Sequence, residues 1–168
     1  MKENNIISNQ EEPPSSTELF RRRFYNEVSD KDWNDWKWQI RNSITKKEEL
    51  ERFIELLKDE KDILQQYPKT KFSITPYFME GVIRSKAIRK SVIPTIQEKS
   101  VSPWESNDPL NEEKCKIAPN VYKRYPNRVL FTVTPYCSNF CRYCTRSRMI
   151  ENNLQESNIE DWKKSIEV

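Results

Sequence analysis

The sequence predicts an α/β chain: a helical N-terminal region followed by a strand–loop–helix unit. Three observations predict it. Apolar residues recur near helical spacing between residues 33 and 57. A β-branched apolar run, Val129 to Val133, stands directly before a cluster of cysteines. A further helix start signal, Ser157 with Glu160, follows that cluster. The single glycine, Gly81, agrees with a helix-rich or incomplete chain, since ordinary proteins carry about 7% glycine, much of it in turns that need φ > 0.

In chain order, residues 1–17 hold Asn, Glu, Ser and Pro13-Pro14 and read as a flexible tail. Ser29 with Asp32 resembles a capping box, and Trp33, Trp36, Ile40 and Ile44 follow it near a 3.6-residue period. Thr45 with Glu48 is a second start signal, with the stripe Leu50, Phe53, Ile54 and Leu57. Between 68 and 110, Pro68, Pro76, Pro94, Pro103 and Pro109 bar any long helix and predict short helices in an irregular, wrapping segment. Tyr125-Pro126-Asn127 reads as a turn, and Val129 to Val133 as one buried strand whose sheet partners are missing or lie elsewhere. The last helix runs through Trp162 and Ile166, and the chain stops at Val168 within it. The expected division is a tail at 1–17, a helical region and linker at 18–120, and a strand–loop–helix unit at 121–168.

Charge narrows the classes of partner. Lys+Arg 29 against Asp+Glu 26 leaves +3, too balanced to argue for nucleic acid or an anionic membrane. No apolar run reaches the roughly 20 residues that span a bilayer. The polar N-terminus lacks a signal-peptide core, so the expected location is the cytoplasm, where cysteines read as ligands or free thiols before disulfides.

Cys137, Cys141 and Cys144 are spaced C-x3-C-x2-C. Thiolates are soft ligands suited to iron–sulfur clusters or zinc. Three of them on a [4Fe–4S] cube leave one iron open to a small molecule. Other readings stay open on the residues alone. The spacing also fits one face of a helix, where cysteines pack as small apolar residues. A zinc site needs a fourth ligand in a chain without histidine, and Cys115 lies at no common zinc-ribbon spacing. A disulfide pairs three clustered cysteines poorly. The place just after a strand favours a ligand site, as in α/β folds generally.

The flanks add to this. Asp32-Trp33-Asn34-Asp35-Trp36-Lys37-Trp38-Gln39, Ile74-Thr75-Pro76-Tyr77, Ile93-Pro94-Thr95, Asp108-Pro109-Leu110, Arg124-Tyr125-Pro126-Asn127-Arg128 and Cys141-Arg142-Tyr143-Cys144-Thr145-Arg146 together resemble, in that order, the N-terminal portion of the lysine 2,3-aminomutase family, within the radical S-adenosylmethionine superfamily. The resemblance runs from about residue 20 to residue 150. It implies a truncated radical S-adenosylmethionine (β/α) barrel, of which this chain carries the first strand–loop–helix unit. It also implies a [4Fe–4S] cluster that cleaves S-adenosylmethionine, pyridoxal 5′-phosphate carrying the amino-acid substrate, and migration of an amino group from C2 to C3. By resemblance Cys137, Cys141 and Cys144 are cluster ligands, Arg146 pairs with the substrate carboxylate, and Arg124, Tyr125 and Arg128 contact pyridoxal phosphate. Guanidinium forks suit carboxylate and phosphate. Tyr136, Phe140 and Tyr143 are read as shielding the cluster or as core. Trp33, Trp36 and Trp38 are read as packing, Cys115 as an incidental thiol, and Arg142 and Arg148 as solvated or structural.

Departures are visible too. Lys123 stands where the family commonly has histidine, and Phe78 to Ala87 lacks an Asp- and Pro-rich loop. At 168 residues the chain is shorter than the roughly 250 of a (β/α) barrel, and the lysine that would hold pyridoxal phosphate is not found in it. The expectation is therefore an N-terminal piece, inactive alone, with a separately encoded barrel remainder as a candidate partner and a homo-oligomer also compatible. An unpaired strand predicts a partly molten state. The alternatives are a non-enzymatic metal-binding or interaction module with structural cysteines, and a related radical enzyme acting on a protein lysine.

Overall fold

The structure, a computed structural model, describes residues 15–134, 136–151 and 159–167. Its helical region is built from short pieces, several started by a side-chain cap and each stopped within a few turns. Helix α1 (Ser16–Phe24) is capped by Ser15, whose hydroxyl accepts the Glu18 N–H at 3.3 Å. Residues 16 and 17, assigned from sequence to the tail, are its first turn. Ser29 caps α2 (Asp30–Trp33), as the sequence predicts. The single helix expected through Ile44 is divided, however. Asp35 takes an extended backbone and accepts the Lys37 N–H at 2.9 Å, starting α3 (Trp36–Arg41). Aspartate competes for backbone donors and so favours a cap over a helix interior. Ile44 lies outside any helix and pairs with Ile74 in an isolated β-bridge.

The next start is also shifted. Glu49, rather than Glu48, accepts the Thr45 and Lys46 N–H groups, and α4 is only Lys47–Leu50. Leu57 is exposed and begins α5 (Lys58–Gln66), while its neighbour Leu56 is buried. Proline sets the following elements. Pro76 occupies the first turn of α6 (Pro76–Arg84), where its missing N–H costs nothing. Helix α7 (Lys86–Val92) stops before Ile93-Pro94, and a 3₁₀ turn follows at Ile96–Lys99.

One core joins these helices. Phe20, Trp33, Ile44, Leu50, Leu56, Ile63, Leu64, Phe72, Ile74, Met79, Val82, Val92 and Ile93 are buried together. Trp38 packs against this cluster, whereas Trp36 is exposed, so only two of the three tryptophans of that segment serve packing. Two buried polar groups lock the pieces. Gln39 donates to the Trp33 carbonyl and accepts the Tyr77 N–H, both at 2.8 Å, tying α3 to α6. Glu60 accepts the Arg89 guanidinium at 2.8 Å and the Leu57 N–H at 2.7 Å, tying α5 to α7.

The second half corrects the expectation of one buried, unpartnered strand. After a 3₁₀ turn (Glu113–Cys115), strands β1 (Lys116–Ala118), β2 (Val121–Tyr125) and β3 (Arg128–Phe131) form an antiparallel sheet in that order. Val121 faces Phe131, and Tyr125 faces Arg128 across Pro126-Asn127, which is therefore a two-residue hairpin turn. Asn120, at φ 57°, lies in the equally short turn between β1 and β2, in a left-handed conformation that asparagine tolerates. The strand expected at 129–133 thus starts at Arg128 and ends at Phe131, and it is not buried: Val129 and Val133 are 52% and 53% exposed. The buried pair of the sheet is Val121 and Tyr122. These were hidden in the sequence because Lys123-Arg124 follows them and breaks the apolar run.

Past the cysteines come α8 (Ser147–Glu151) and α9 (Ile159–Ile166). Trp162 of α9 meets Phe131 edge-on at 5.7 Å, so the last helix covers the sheet. Ser157, the expected cap, and nearly all of the expected tail lie outside the described residues. No described helix is long and apolar enough to cross a membrane.

Candidate active site

The hairpin of β2 and β3 positions the first group of site residues. Arg124 and Tyr125 end β2 and Arg128 opens β3, on either side of Pro126-Asn127. The Arg128 guanidinium lies over the Tyr125 ring, 4.5 Å from its centre, and Arg124 is 6.0 Å from the same ring. Arg124 also donates to the Leu110 carbonyl at 3.1 Å.

The segment before the sheet supplies the acids. Asp108 opens a turn that closes with the Asn111 N–H on the Asp108 carbonyl at 3.0 Å, and Asn111 takes φ 53°. The Asp108 carboxylate accepts the Glu112 and Glu113 N–H groups, each at 3.0 Å. These bonds, the Glu113 N–H first, hold its carboxyl below the usual aspartate range, with Arg148 adding to them. The turn delivers Glu112 to a buried position, 5% exposed.

Arg146 meets Glu112 there. Its Nε lies 3.1 Å from both Glu112 oxygens and its Nη2 2.6 Å from Oε1. Arg148 lies beside them, 3.2 Å from Asp108 and Glu113 and 3.9 Å from Glu112. Three acids and two arginines thus form one network under the sheet. Tyr122 borders it, and burial, followed by the charge of Glu113, pushes its phenol up.

A cavity of about 290 Å³ opens against this network. Arg124, Tyr125, Arg128 and Arg146, four residues named from sequence, all line it. Glu112, Cys115 and Tyr122 line it as well and were not anticipated as site residues. Cys115, read as incidental, gave no motif to find it by. Glu112 had only the neighbouring Asp108-Pro109-Leu110 match to mark it. The size is near the lower end of small-ligand pockets, roughly 300–1,000 Å³, and the three arginines suit an anionic group such as phosphate or carboxylate.

The cysteines lie on the loop between β3 and α8. All three are free thiols, Cys137 exposed and Cys141 and Cys144 half-buried. The Cys144 N–H donates to the Cys141 carbonyl at 3.2 Å, a tight turn rather than the helical face that i, i+4, i+7 spacing also allowed. Among the described residues no three Cys, Asp or Glu side chains are placed to hold a single metal ion. The donor set itself is three soft thiols on one loop, which suits a multi-iron cluster. The loop adjoins the cavity: the Arg146 N–H lies 3.4 Å from the Cys144 sulfur, within hydrogen-bond reach. Phe140 is buried, whereas Tyr136 and Tyr143 are exposed at 60% and 75% and belong to no core. Arg142 pairs with Glu98 and Arg148 with the acids above, so both arginines are structural.

Comparison with known proteins finds relatives over most of this chain. No protein-family model matches the chain. The L-lysine 2,3-aminomutase of Clostridium subterminale is 37% identical over 155 residues, covering 89% of this chain and 37% of that protein. That of Fusobacterium nucleatum is 34% identical over 151 residues, covering 88% of this chain and 36% of that protein. The glutamate 2,3-aminomutase of Clostridioides difficile is 33% identical over 126 residues, 73% of this chain and 30% of that protein. The chain thus spans about a third of the length of the curated relatives it matches. Over that span, with the cysteine loop and the arginine-lined cavity side by side, it belongs to the lysine 2,3-aminomutase family.

Proposed function

We propose that this segment supplies the cluster loop and the anion-binding cavity of a radical S-adenosylmethionine, pyridoxal phosphate-dependent amino-acid 2,3-aminomutase. On this reading β3 is the first strand of a (β/α) barrel, residues 18–120 form the helical region and linker before it, and residues 121–168 begin the barrel. The substrate is a small amino acid whose amino group moves from C2 to C3. The observation that carries the reading is the double position of Arg146. Its side chain lines the cavity with Arg124, Tyr125 and Arg128, while its N–H approaches the Cys144 sulfur at 3.4 Å. A carboxylate held by that guanidinium therefore sits beside the cysteine loop.

Cys137, Cys141 and Cys144 would hold the cluster, and Arg124, Tyr125 and Arg128 the pyridoxal phosphate. Bound there, these groups supply a carbon-centred oxidising radical and an electron sink for the amine. The residues of this chain bind and orient. Arg124 and Arg128 present two cations to a phosphate dianion, and Tyr125 offers a flat ring beside both. Arg146 offers the bidentate fork that fixes a carboxylate in one direction.

The test is anaerobic reconstitution of the full chain with ferrous iron and sulfide. The expected product is brown, with thiolate-to-iron absorption that a Cys141→Ser variant loses. Retained absorption in that variant would count against the ligand assignment, and a colourless zinc-bound product would favour the structural-cysteine alternative. Titration with pyridoxal phosphate, followed by its visible band, is expected to weaken in Arg124→Ala and Arg128→Ala.

A further inference from the structure

The loop that carries the three cysteines is fastened by the residues between them. Asn139 forms an isolated antiparallel bridge with Ile74, and its side-chain Oδ1 accepts the Thr75 N–H at 3.2 Å. The Phe140 N–H donates to the Ser73 carbonyl at 2.9 Å, and its ring is buried. The Arg142 N–H donates to the Ser91 carbonyl at 2.7 Å. The Arg142 side chain continues the contact. It donates to the Lys71 carbonyl at 2.7 Å, pairs with Glu98 through Nε at 3.0 Å, and lies 5.3 Å from the centre of the Phe140 ring. Every hydrogen-bond partner among these, from 71 to 98, belongs to the helical region and is distant in sequence.

Cys137, Cys141 and Cys144 take no part in the docking; none is in a disulfide, Cys137 is exposed and Cys141 and Cys144 are partly buried. Anchors and thiols thus interleave along one short loop. The core stands directly behind: Ile74, fully buried, bridges Ile44 on one side and Asn139 on the other. A loop ordered before its ligand arrives binds more tightly, because the entropy of ordering is already spent.

We propose that the helical region acts as a clamp on the cysteine loop. Asn139 and Arg142 are positioning residues that set the mutual placement of Cys137, Cys141 and Cys144 for a cluster. The inference rests on the cluster reading above for its purpose, and on the docking contacts alone for its mechanism.

Two measurements on the full chain separate these. The first needs no cluster: alkylation of each cysteine by iodoacetamide, resolved by peptide mass. In Asn139→Ala and Arg142→Ala the three loop thiols are expected to react several-fold faster than in the parent, while Cys115, outside the loop, keeps its rate. Asn139→Asp, which retains the accepting oxygen, is expected to restore the parent rates. Unchanged loop rates, or an equal rise at all four cysteines from general unfolding, would overturn the clamp.

The second is reconstitution with iron and sulfide, read as iron per chain and as the paramagnetic resonance line shape of the reduced cluster. Loss of the anchors is expected to weaken iron binding about 10-fold or more, as loss of supporting contacts to metal ligands commonly does. The residual signal should be broadened, with both restored by Asn139→Asp. Loading and line shape equal to the parent in the alanine variants would overturn the positioning role. A parent chain that shows the protected thiols yet takes up no iron would sink the cluster reading and the clamp's stated purpose with it.

Discussion

Arg146 grips Glu112 side-on, through Nε and Nη2, and among the described residues its Nη1 makes no hydrogen bond. A guanidinium has two bidentate edges. The buried Glu112 takes the lateral one and leaves the terminal one unoccupied among the described residues, in a side chain that lines the cavity. The acid therefore orients the residue that the family resemblance assigns to a substrate carboxylate, without occupying all of its donors.

Removing Arg146 strands Glu112. Arg148, 3.9 Å away, compensates in part, and the Arg146 side chain is 40% exposed, so the full cost of a broken buried pair is not expected. Arg146→Ala should lower stability by about 1–3 kcal/mol. A urea midpoint that falls with an unchanged slope would show it. Arg146→Lys keeps the charge but loses the fork, and should recover only part of the loss.

Asp108 gives the acid limb of stability. Its folded pKa is depressed, first by the Glu113 N–H. The group therefore contributes stability that is present above its unfolded value, near 3.9, and is lost as pH falls through the lower folded value. Asp108→Asn should flatten the pH dependence of the urea midpoint below about pH 4 relative to the parent. An identical acid limb would count against the Asp108 turn as its source.

Glu60 and Arg89 join α5 to α7 in a nearly closed environment. The hydrogen bond that Arg89 donates to Glu60 is the first cause of its raised pKa. A raised base contributes stability that is present below its unfolded value and lost only as pH rises through the still higher folded one, so no loss from Arg89 is expected in ordinary buffers. Glu60→Ala leaves the guanidinium without its partner and should cost about 3–5 kcal/mol, less what the Glu55 carbonyl retains. Thermal unfolding followed by circular dichroism reads the difference.

Ile74 is fully buried and is the residue through which the core and the cysteine loop share a backbone bridge. Ile74→Ala should cost about 2–5 kcal/mol and Ile74→Val about 0.5–1.5 kcal/mol. Backbone bridging survives both changes, so the loop thiols should keep their relative reactivities in the valine variant.

The local signals along the chain were legible where they rest on one or two residues. Ser29 as a cap and Pro126-Asn127 as a turn stand where the sequence places them. Signals that depend on competition failed. Trp33 to Ile44 has a helical period, but Asp35 captures a backbone N–H and divides it. Val129 to Val133 is apolar yet half open, because Val121 and Tyr122 take the buried side of the sheet.

The sequence alone determined the chemistry on offer. Three thiols at fixed spacing, and arginines at 124, 128 and 146, follow from residue identity, and their resemblance to the aminomutase family follows from order along the chain. Only the tertiary structure decided which of these meet. Arg146 joins the β2–β3 hairpin at one cavity because a turn at Asp108 carries Glu112 beneath the sheet to hold it. The cysteine loop lies against Ile74 because Asn139 and Arg142 find backbone partners some 50 to 70 residues away. Such pairings are set by burial and by the satisfaction of distant backbone groups, which no local pattern in the chain records.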